Sequence, residues 1–370
     1  MTQRQVTRRD FVRTGATATA AVSVGLSGTV GSASAADVPA EVKATRNYQT
    51  GMEYRRLGKT DLWVSAVCLG GHWKRVDKVI GAQEAINPYE GPQRDTDMDA
   101  FLKNRDAVVS RCIEVGINCI DFAGNAEPET YCKVLRGRRD KMYLCYSHPK
   151  SELRVPENRA AKKLVELFEA GLKRCELEYA DVWRLMALER GSRHSPQDVE
   201  AMIEALDIAK KKGLCRCTGF STHDRRWAKK LIETYPDQIQ MLCTPYTAKS
   251  KELPVDSLFA TVRKYDVGIL GIKPFASNAI FQGDGSPDHP HADEDNRRAR
   301  LSLRYILCNP AITAPIPGLI SAAQVDNVVR AVNERRELDA TEQAELRHIG
   351  DEMWARLPAS YGWLKEWEYV

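Results

Sequence analysis

The stretch "ADVWRLMALERGSRHSPQDVEAMIEALDIAKKKGLCRCTGFS", residues 180–221, predicts a complete strand–helix–strand unit. Its two ends, "ADVWRLM" and "CRCTGFS", are short apolar runs of the kind that form buried strands. Between them, Ser195 is a helix N-cap and Asp198 completes a capping box. Pro196 fits the first turn of that helix, and Gly213 ends it. A strand, a helix and a second strand in this order are typical of a parallel sheet.

The same alternation extends in both directions along the chain. Eight β-branched or apolar runs are each separated from the next by a segment long enough for a helix: "AVCLGG", "INCID", "MYLCYS", "ADVWRLM", "CRCTGFS", "IQMLC", "GILGIKP" and "ITAPIPG". Ahead of them, "MEYRRLGKTDLWVS" has two strand-like pieces around a turn, which predicts a β-hairpin. Eight strands that alternate with helices close naturally into a barrel. The predicted fold class is therefore α/β, a (β/α)₈ TIM barrel with an N-terminal β-hairpin.

An export signal precedes the barrel. The run "TRRDFVRTG" places Arg8 and Arg9 before a weakly apolar stretch that ends in "SASAAD", the order of a twin-arginine signal peptide. The stretch is too short and too rich in Gly, Thr and Ser to span a membrane, and Ala33 and Ala35 form a signal peptidase site. We place cleavage after Ala35. The sequence thus predicts a precursor that the twin-arginine machinery exports to the periplasm or another compartment outside the cytoplasm.

Four segments follow from this organisation: the signal peptide (1–35), a polar lead segment (36–51), the barrel (52–340), and a C-terminal helix with an aromatic tail (341–370). The formal net charge is +4, and removing the four Arg and one Asp of the signal leaves about +1. This charge gives no electrostatic case for binding nucleic acid. The ten cysteines form no Cys-x-x-Cys pair and lie mostly in apolar runs, which favours buried thiols over a disulfide framework or a metal ribbon.

Several quoted motifs, in order and at close spacing, resemble those of the aldo/keto reductases over roughly residues 52–335: "YRRLGKTDLWVSAVCLGG", "GINCIDFA", "LRGRRDKMYL", "YADVWRLM", "TGFS", "GILGIKPF" and "IPGLISAAQVDN". The resemblance implies a barrel enzyme that moves hydride between NADP(H) and a carbonyl or alcohol. In such a barrel the chemistry lies at the carboxyl ends of the strands.

The family's catalytic tetrad of Asp, Tyr, Lys and His is degenerate in this sequence. Asp121 matches the aspartate, but Ala126 stands where the tyrosine is expected, and Tyr131 lies too far along the next helix to replace it. Ser147 stands at the lysine position and Met186 at the histidine position. Neither can donate or relay a proton as the original does. We therefore expect the ordinary tetrad mechanism not to operate.

A rebuilt redox site would recruit other residues at the strand ends. His148 is the predicted acid/base, because a histidine needs little tuning to work near neutral pH. Asp121 would tune it, and Lys273 or Lys150 would lie near the substrate. For Lys273, a salt bridge at the barrel end is an equally good interpretation.

The resemblance also implies a nicotinamide cofactor site. Ser221 matches the serine near the nicotinamide amide, and Cys243 stands where the family has a glutamine. The predicted nucleotide loop keeps four further positions of the family pattern: Gly318, Ser321, Gln324 and Asn327. No Arg or Lys lies between Pro317 and Asn327 to grip a 2'-phosphate, so the choice between NAD and NADP stays open.

A metal-dependent alternative rests on three histidines. His72, His148 and His223 fall immediately after the first, third and fifth strands, which the alignment places on one rim with Asp121. Imidazole and carboxylate ligands suit zinc, manganese or iron(II), and such an ion could polarise a carbonyl or activate water in a hydrolase, lyase or isomerase. A barrel that binds a ligand without catalysis is the third interpretation.

The sequence favours the redox interpretation. The expected protein is an exported aldo/keto-reductase-like oxidoreductase that acts on a small carbonyl or polyol, with sugars among the candidates. Free NADPH is not replenished outside the cytoplasm, so the NAD(P) would have to stay tightly bound through turnover. The expected partners are a small-molecule substrate and, for the precursor, the export machinery; no membrane span is expected.

Overall fold

The computed structural model describes residues 38–366. The predicted signal peptide, with Arg8, Arg9 and the cleavage site, lies outside the described residues. So do the last two residues before Val38 and the final four of the aromatic tail. Within the described range, no helix is both long and apolar enough to cross a membrane.

Eight parallel strands form the barrel and confirm the predicted fold class. They are β3 (Leu69–Gly70), β4 (Cys119–Asp121), β5 (Tyr143–Tyr146), β6 (Ala180–Met186), β7 (Cys215–Ser221), β8 (Met241–Pro245), β9 (Gly268–Ile272) and β10 (Ala314–Ile316). Each pairs with the next in chain order. A parallel bridge between Gly70 and Gly318 brings the first and last strands together. All their carboxyl ends therefore meet at one face of the barrel.

The N-terminal hairpin closes the opposite face. Its strands, β1 (Tyr54–Arg56) and β2 (Trp63–Ser65), pair antiparallel. Leu57, Leu62 and Val64 from the hairpin belong to one buried cluster with inward-facing residues of the barrel strands. Gly58 has a φ of +52°, and a Cβ there would lie 2.1 Å from the Gly268 nitrogen, so the turn needs glycine. The predicted hairpin acts as a plug under the barrel.

Helices alternate with the barrel strands on the outside. The described helices are α1 (Ala40–Lys43), α2 (Val76–Ile80), α3 (Asp95–Glu114), α4 (Glu127–Val134), α5 (Ala161–Arg174), α6 (Pro196–Lys211), α7 (Arg225–Thr234), α8 (Leu258–Tyr265), α9 (Ala292–Cys308), α10 (Ala322–Asn333) and α11 (Ala340–Ala355). The capping box predicted from Ser195 and Asp198 is present at the start of α6. After α11, a 3₁₀ segment at Ala359–Lys365 carries the aromatic tail back over the barrel.

A buried carboxylate ties the lead segment to the barrel. Asp181, fully buried on β6, accepts bonds from Arg46 Nη1 at 2.9 Å and Arg139 Nη2 at 2.7 Å, and Arg216 lies 3.6 Å away. Burial alone would raise the pKa of Asp181, but the arginines, Arg139 foremost, hold it well below its usual range. This ion cluster fixes residues 38–51 against the outside of the barrel.

All ten cysteines are free thiols, and nine are buried. The prediction of buried thiols is confirmed for those nine, whereas Cys308, near the end of α9, is exposed.

Candidate active site

A large polar cavity opens at the carboxyl face of the barrel. Its volume is about 740 Å³. Charged and amide side chains line much of its wall: Asn87, Glu90, Asp121, Asn125, Arg154, Arg184, Glu189, Arg190, Arg193 and Lys273. The sequence-predicted residues His72, Asp121, Ser221, His223, Cys243 and Lys273 also lie on this wall. His148 does not.

Asp121 forms a buried ion pair at the floor of this cavity. Arg184 Nε lies 2.6 Å from Asp121 Oδ1 and Arg184 Nη2 lies 3.1 Å from Oδ2, with both side chains only 2% exposed. Arg184 Nη2 also donates to the Phe122 carbonyl at 2.6 Å and to Ser147 Oγ at 2.8 Å. Burial raises the pKa of the Asp121 carboxyl, and Arg184 only partly offsets this effect. Charge-assisted hydrogen bonds therefore hold both side chains in place.

Sequence reasoning missed Arg184. It lies inside the apolar run "ADVWRLM", two residues before Met186, so both side chains face the same side of β6. A cation inside a buried strand requires a buried anion, and Asp121 on β4 was the anion available. The guanidinium thus sits beside Asp121, and the Ser147 hydroxyl at the lysine position of the family binds that same guanidinium.

The other tetrad positions have structural roles. Ala126 precedes α4, and its N–H donates to the Tyr89 carbonyl at 3.0 Å. Tyr131 is fully buried behind the site, where its hydroxyl lies 3.3 Å from the Gly71 carbonyl. Met186 is buried and lines the cavity.

His72 pairs with a second buried carboxylate. Its Nδ1 lies 2.6 Å from Glu127 Oε1, and Glu127 Oε2 accepts from the Ala123 N–H at 2.5 Å. Glu127 is completely buried. A Cβ at Gly71 would lie 1.8 Å from this carboxylate, so the Glu127 side chain fits only because position 71 is glycine. The sequence did not predict Glu127 as a site residue. The double glycine before His72, which makes room for its carboxylate, was its only local signal.

The three histidines proposed as metal ligands do not come together. His72 is paired with Glu127, and His148 is buried beside the cavity with its Nδ1 3.2 Å from Ser151 Oγ. The His223 ring stacks on Trp363 at 4.2 Å. Among residues 38–366, no group of three His, Cys, Asp or Glu side chains could hold a metal ion. The resemblance to the family places the three histidines on one rim of the barrel. It does not show that each imidazole ring turns toward a partner of its own.

His148 is therefore also poorly placed as the acid/base. Burial lowers its pKa. It lies outside the cavity wall that Asp121 lines.

Lys273 lies beside two aromatic rings of the C-terminal tail. Its Nζ is 5.4 Å from the Tyr361 ring centroid and 5.8 Å from that of Trp363. Burial lowers the pKa of Lys273, an effect that nearby Tyr361 partly opposes. The alternative of a barrel-end salt bridge is not realised, because no carboxylate in the described part of the chain pairs with Lys273. The sequence left open whether the aromatic tail packs on the barrel or lines a pocket, and the structure places Tyr361 and Trp363 in the wall of the large cavity.

Two smaller cavities lead away from the strand ends toward α10. One, of about 140 Å³, is bounded by Gly71, Lys74, Ile272, Ser277 and Gly318 among others. The next, of about 70 Å³, includes Lys74, Arg75, Gly318, Gln324 and Asn327. Neighbouring cavities share wall residues, so the three lie in a row from Asp121 to the start of α10, and we call the two smaller ones the track.

The predicted nucleotide-loop residues lie at the far end of this track. Ser321 Oγ caps α10 by accepting from the Gln324 N–H at 3.2 Å. Gln324 Oε1 accepts from the Ile320 N–H at 3.0 Å, and Asn327 Oδ1 accepts from Arg300 Nη1 at 2.7 Å. Ser221 and Cys243 lie at the near end, in the wall of the large cavity. Five of the six predicted cofactor residues therefore line these cavities, with Gly318 shared by the two smaller ones, whereas Ser321 serves as the cap of α10.

The chain has a parallel eight-stranded barrel, a polar cavity at the carboxyl face of that barrel and a cleft that leads to a capped helix. This combination is typical of barrel enzymes. The sequence profile of the Aldo/keto reductase family matches residues 102–351. The chain belongs to this family, whose members are oxidoreductases that generally use NAD(P)H.

Individual relatives are distant. L-galactose dehydrogenase of Arabidopsis thaliana is 23% identical over 314 residues, which cover 78% of this chain and 91% of the relative. Aldo-keto reductase AKR11C1 from Bacillus halodurans, in its holo form, superposes with a TM-score of 0.55 at 19% identity, over 80% of this chain and 96% of its own. The thermostable aldo-keto reductase Tm1743, in complex with the inhibitor epalrestat, reaches a TM-score of 0.58 at 19% identity, over 81% and 100%. These structural similarities support the barrel fold.

Proposed function

We propose that the chain is an exported oxidoreductase that uses tightly bound NAD(P) to interconvert a small polar carbonyl compound and its alcohol. Its active site replaces the family tetrad around the surviving Asp121.

The observation that carries this proposal is the junction of the large cavity with the track. Six residues belong to the walls of both: His72, Asp121, Ala123, Ile272, Lys273 and Tyr361. A substrate in the large cavity and an elongated cofactor in the track would meet only at these residues. Hydride transfer requires such a meeting point, because the reacting atoms must lie in near contact.

The residues along the track favour an anionic ligand. Arg75 would supply positive charge to a pyrophosphate, and the capped N-terminus of α10 favours an anion. At the near end, His223 belongs to the cavity wall, and its Nδ1 is buried with no hydrogen-bond partner within residues 38–366. The nicotinamide would supply or accept a hydride at the junction.

The walls of the large cavity favour a polyhydroxylated substrate. Hydroxyl groups need both donors and acceptors, and Glu189 supplies an acceptor while Arg154 and Arg190 supply donors. A volume of about 740 Å³ holds a monosaccharide with room for water. The relative named for L-galactose supports a sugar or polyol as the substrate class.

The first test is the protein isolated from its own export compartment. We expect its absorbance and mass spectrum to contain a nicotinamide dinucleotide, and its N-terminus to be Ala36. With L-galactose and NAD⁺ or NADP⁺, or glyceraldehyde and NADH or NADPH, the spectroscopic signal at the reduced nicotinamide band should change with time.

Each other outcome has a definite meaning. A protein that neither contains nor binds a nicotinamide dinucleotide contradicts the redox proposal, and a bound ligand without turnover of any carbonyl or polyol favours the non-catalytic barrel. An intact N-terminus together with a cytoplasmic location would contradict the proposed export but not the proposed redox function.

A further inference from the structure

Four ionisable side chains stand at the junction where substrate and cofactor would meet: His72, Asp121, Lys273 and Tyr361. Reduction of a carbonyl needs a proton donor at this point. Asp121 is held by Arg184, and Lys273 Nζ faces the Tyr361 ring at 5.4 Å from its centroid, where it can stabilise a neighbouring phenolate. The choice is therefore between His72 and Tyr361.

Two cations surround Tyr361. Lys74 Nζ lies 3.4 Å from its hydroxyl oxygen and also bonds to the Ser277 hydroxyl. Lys273 Nζ lies 5.4 Å from the ring centroid on the barrel side. Tyr89 contributes a second phenol that interacts with the Tyr361 hydroxyl. This environment favours the charged phenolate, because opposite charges at such distances stabilise it.

His72 is already engaged inside the protein. Its Nδ1 lies 2.6 Å from Oε1 of the buried Glu127, so this nitrogen is committed to a structural hydrogen bond. A proton donor must release its proton in the transition state, and the two lysines favour that release from Tyr361.

We propose that Tyr361, brought by the C-terminal tail, is the catalytic acid/base of this enzyme, with Lys74 and Lys273 stabilising its phenolate. The inference rests on the proposed redox function and names the residue that does the work of the missing tyrosine. In the reducing direction, a bound reduced nicotinamide would supply the hydride to the carbonyl carbon and would be left in its oxidised form. As the C=O π bond breaks, the carbonyl oxygen would take the proton from the Tyr361 hydroxyl to give the alcohol, and solvent would return a proton to Tyr361.

The ionisation of Tyr361 supports this geometry. Burial alone would raise the pKa of Tyr361, but the charges of Lys273 and Lys74 and the hydrogen bonds of Ser277 and Tyr89 lower it to about 8. A donor with this pKa is protonated at neutral pH and releases its proton readily.

The test compares wild type, Tyr361→Phe and His72→Asn, with Tyr235→Phe as a matched loss of a phenol hydroxyl at the far end of α7. Phenylalanine keeps the ring that packs on Lys273, so Tyr361→Phe should fold. We expect this variant to bind NADPH or NADH as wild type does, and its kcat for glyceraldehyde reduction to fall about 10²–10⁴-fold. The rate at which wild type reduces glyceraldehyde should decline above pH 8, and the rate at which it oxidises L-galactose should increase. Both changes should be absent in Tyr361→Phe.

An ultraviolet difference titration gives a second readout that needs no turnover. Wild type minus Tyr361→Phe should show one phenolate that forms near pH 8. A Tyr361 that titrates near 10, the value for free tyrosine, overturns the proposal. So does full kcat in Tyr361→Phe, or a loss that appears only in His72→Asn. Failure of wild type to bind any nicotinamide dinucleotide would instead refute the proposed function.

Discussion

Replacing Arg184 by Met should destabilise the protein strongly while leaving its core volume nearly unchanged. Methionine can fill the space of the arginine stem, but it cannot pair with Asp121. The carboxylate then stays 2% exposed with no cation, and the Phe122 carbonyl and Ser147 hydroxyl each lose a donor. The perturbation isolates the charge of a single buried group.

The expected loss follows from the geometry of that pair. Removing one partner of a buried ion pair costs about 3–5 kcal/mol, because the other charge stays desolvated. The free energy of unfolding of most domains is about 5–15 kcal/mol, so the loss is a large share of the total. Replacing both partners by apolar residues is often near neutral. The double variant Asp121→Leu/Arg184→Met should therefore recover most of the loss.

The loss should also depend on pH. Burial already raises the pKa of Asp121, and without Arg184, which lowers it, that pKa rises further. A carboxyl whose folded pKa lies above its unfolded value adds stability below the unfolded pKa, and this contribution is lost as pH rises through the folded pKa. The deficit of Arg184→Met should thus be smaller at pH 5 than at pH 8.

Urea unfolding followed by tryptophan fluorescence measures these differences, since Trp183 is buried next to Arg184 on β6. Arg347→Met, at an exposed position of α11, is the matched control and should unfold like wild type. The reasoning fails if Arg184→Met has a normal urea midpoint, if its deficit is the same at both pH values, or if the double variant is no more stable than the single one.

Three further predictions concern other titrating groups. Burial raises the pKa of Glu152 to about 7, so the free energy of unfolding of wild type should fall by up to about 1.4 kcal/mol per pH unit as pH rises through 7. In Glu152→Gln, the urea midpoint should depend less on pH between pH 6 and 8. Asp181 has a lowered pKa and stabilises the fold above pH 4, so Asp181→Asn should be destabilised at pH 7, with a difference from wild type that narrows as pH falls toward 3 in the same measurement. Lys74→Met removes a charge that lowers the pKa of Tyr361, so the alkaline decline of the reduction rate should move up by about one pH unit; a rate profile that does not move would contradict the role given to Lys74.

The fold was predictable from the sequence because its signals are local and repeated. The capping box at Ser195 and the eight apolar runs each report on their own element, and eight such elements have one common closed arrangement. Asp121 was predictable too, because a carboxylate that ends an apolar strand stands out in the pattern.

The partners of the site residues were not predictable, since they come from distant positions in the chain. Arg184 reaches Asp121 across 63 residues, and Tyr361 reaches Lys74 across 287. Strand order fixes which backbone ends are neighbours, but it does not fix which way a side chain turns. This is why His148 and His223 were assigned to one rim, although the first faces Ser151 and the second stacks on Trp363.

The arrangement of the thiols makes the covalent structure of the chain insensitive to its redox surroundings. Nine cysteines are buried and none forms a disulfide, so oxidants and reductants in solution reach only Cys308. The same covalent structure then holds in reducing and in oxidising surroundings, and a thiol reagent should label the native chain once.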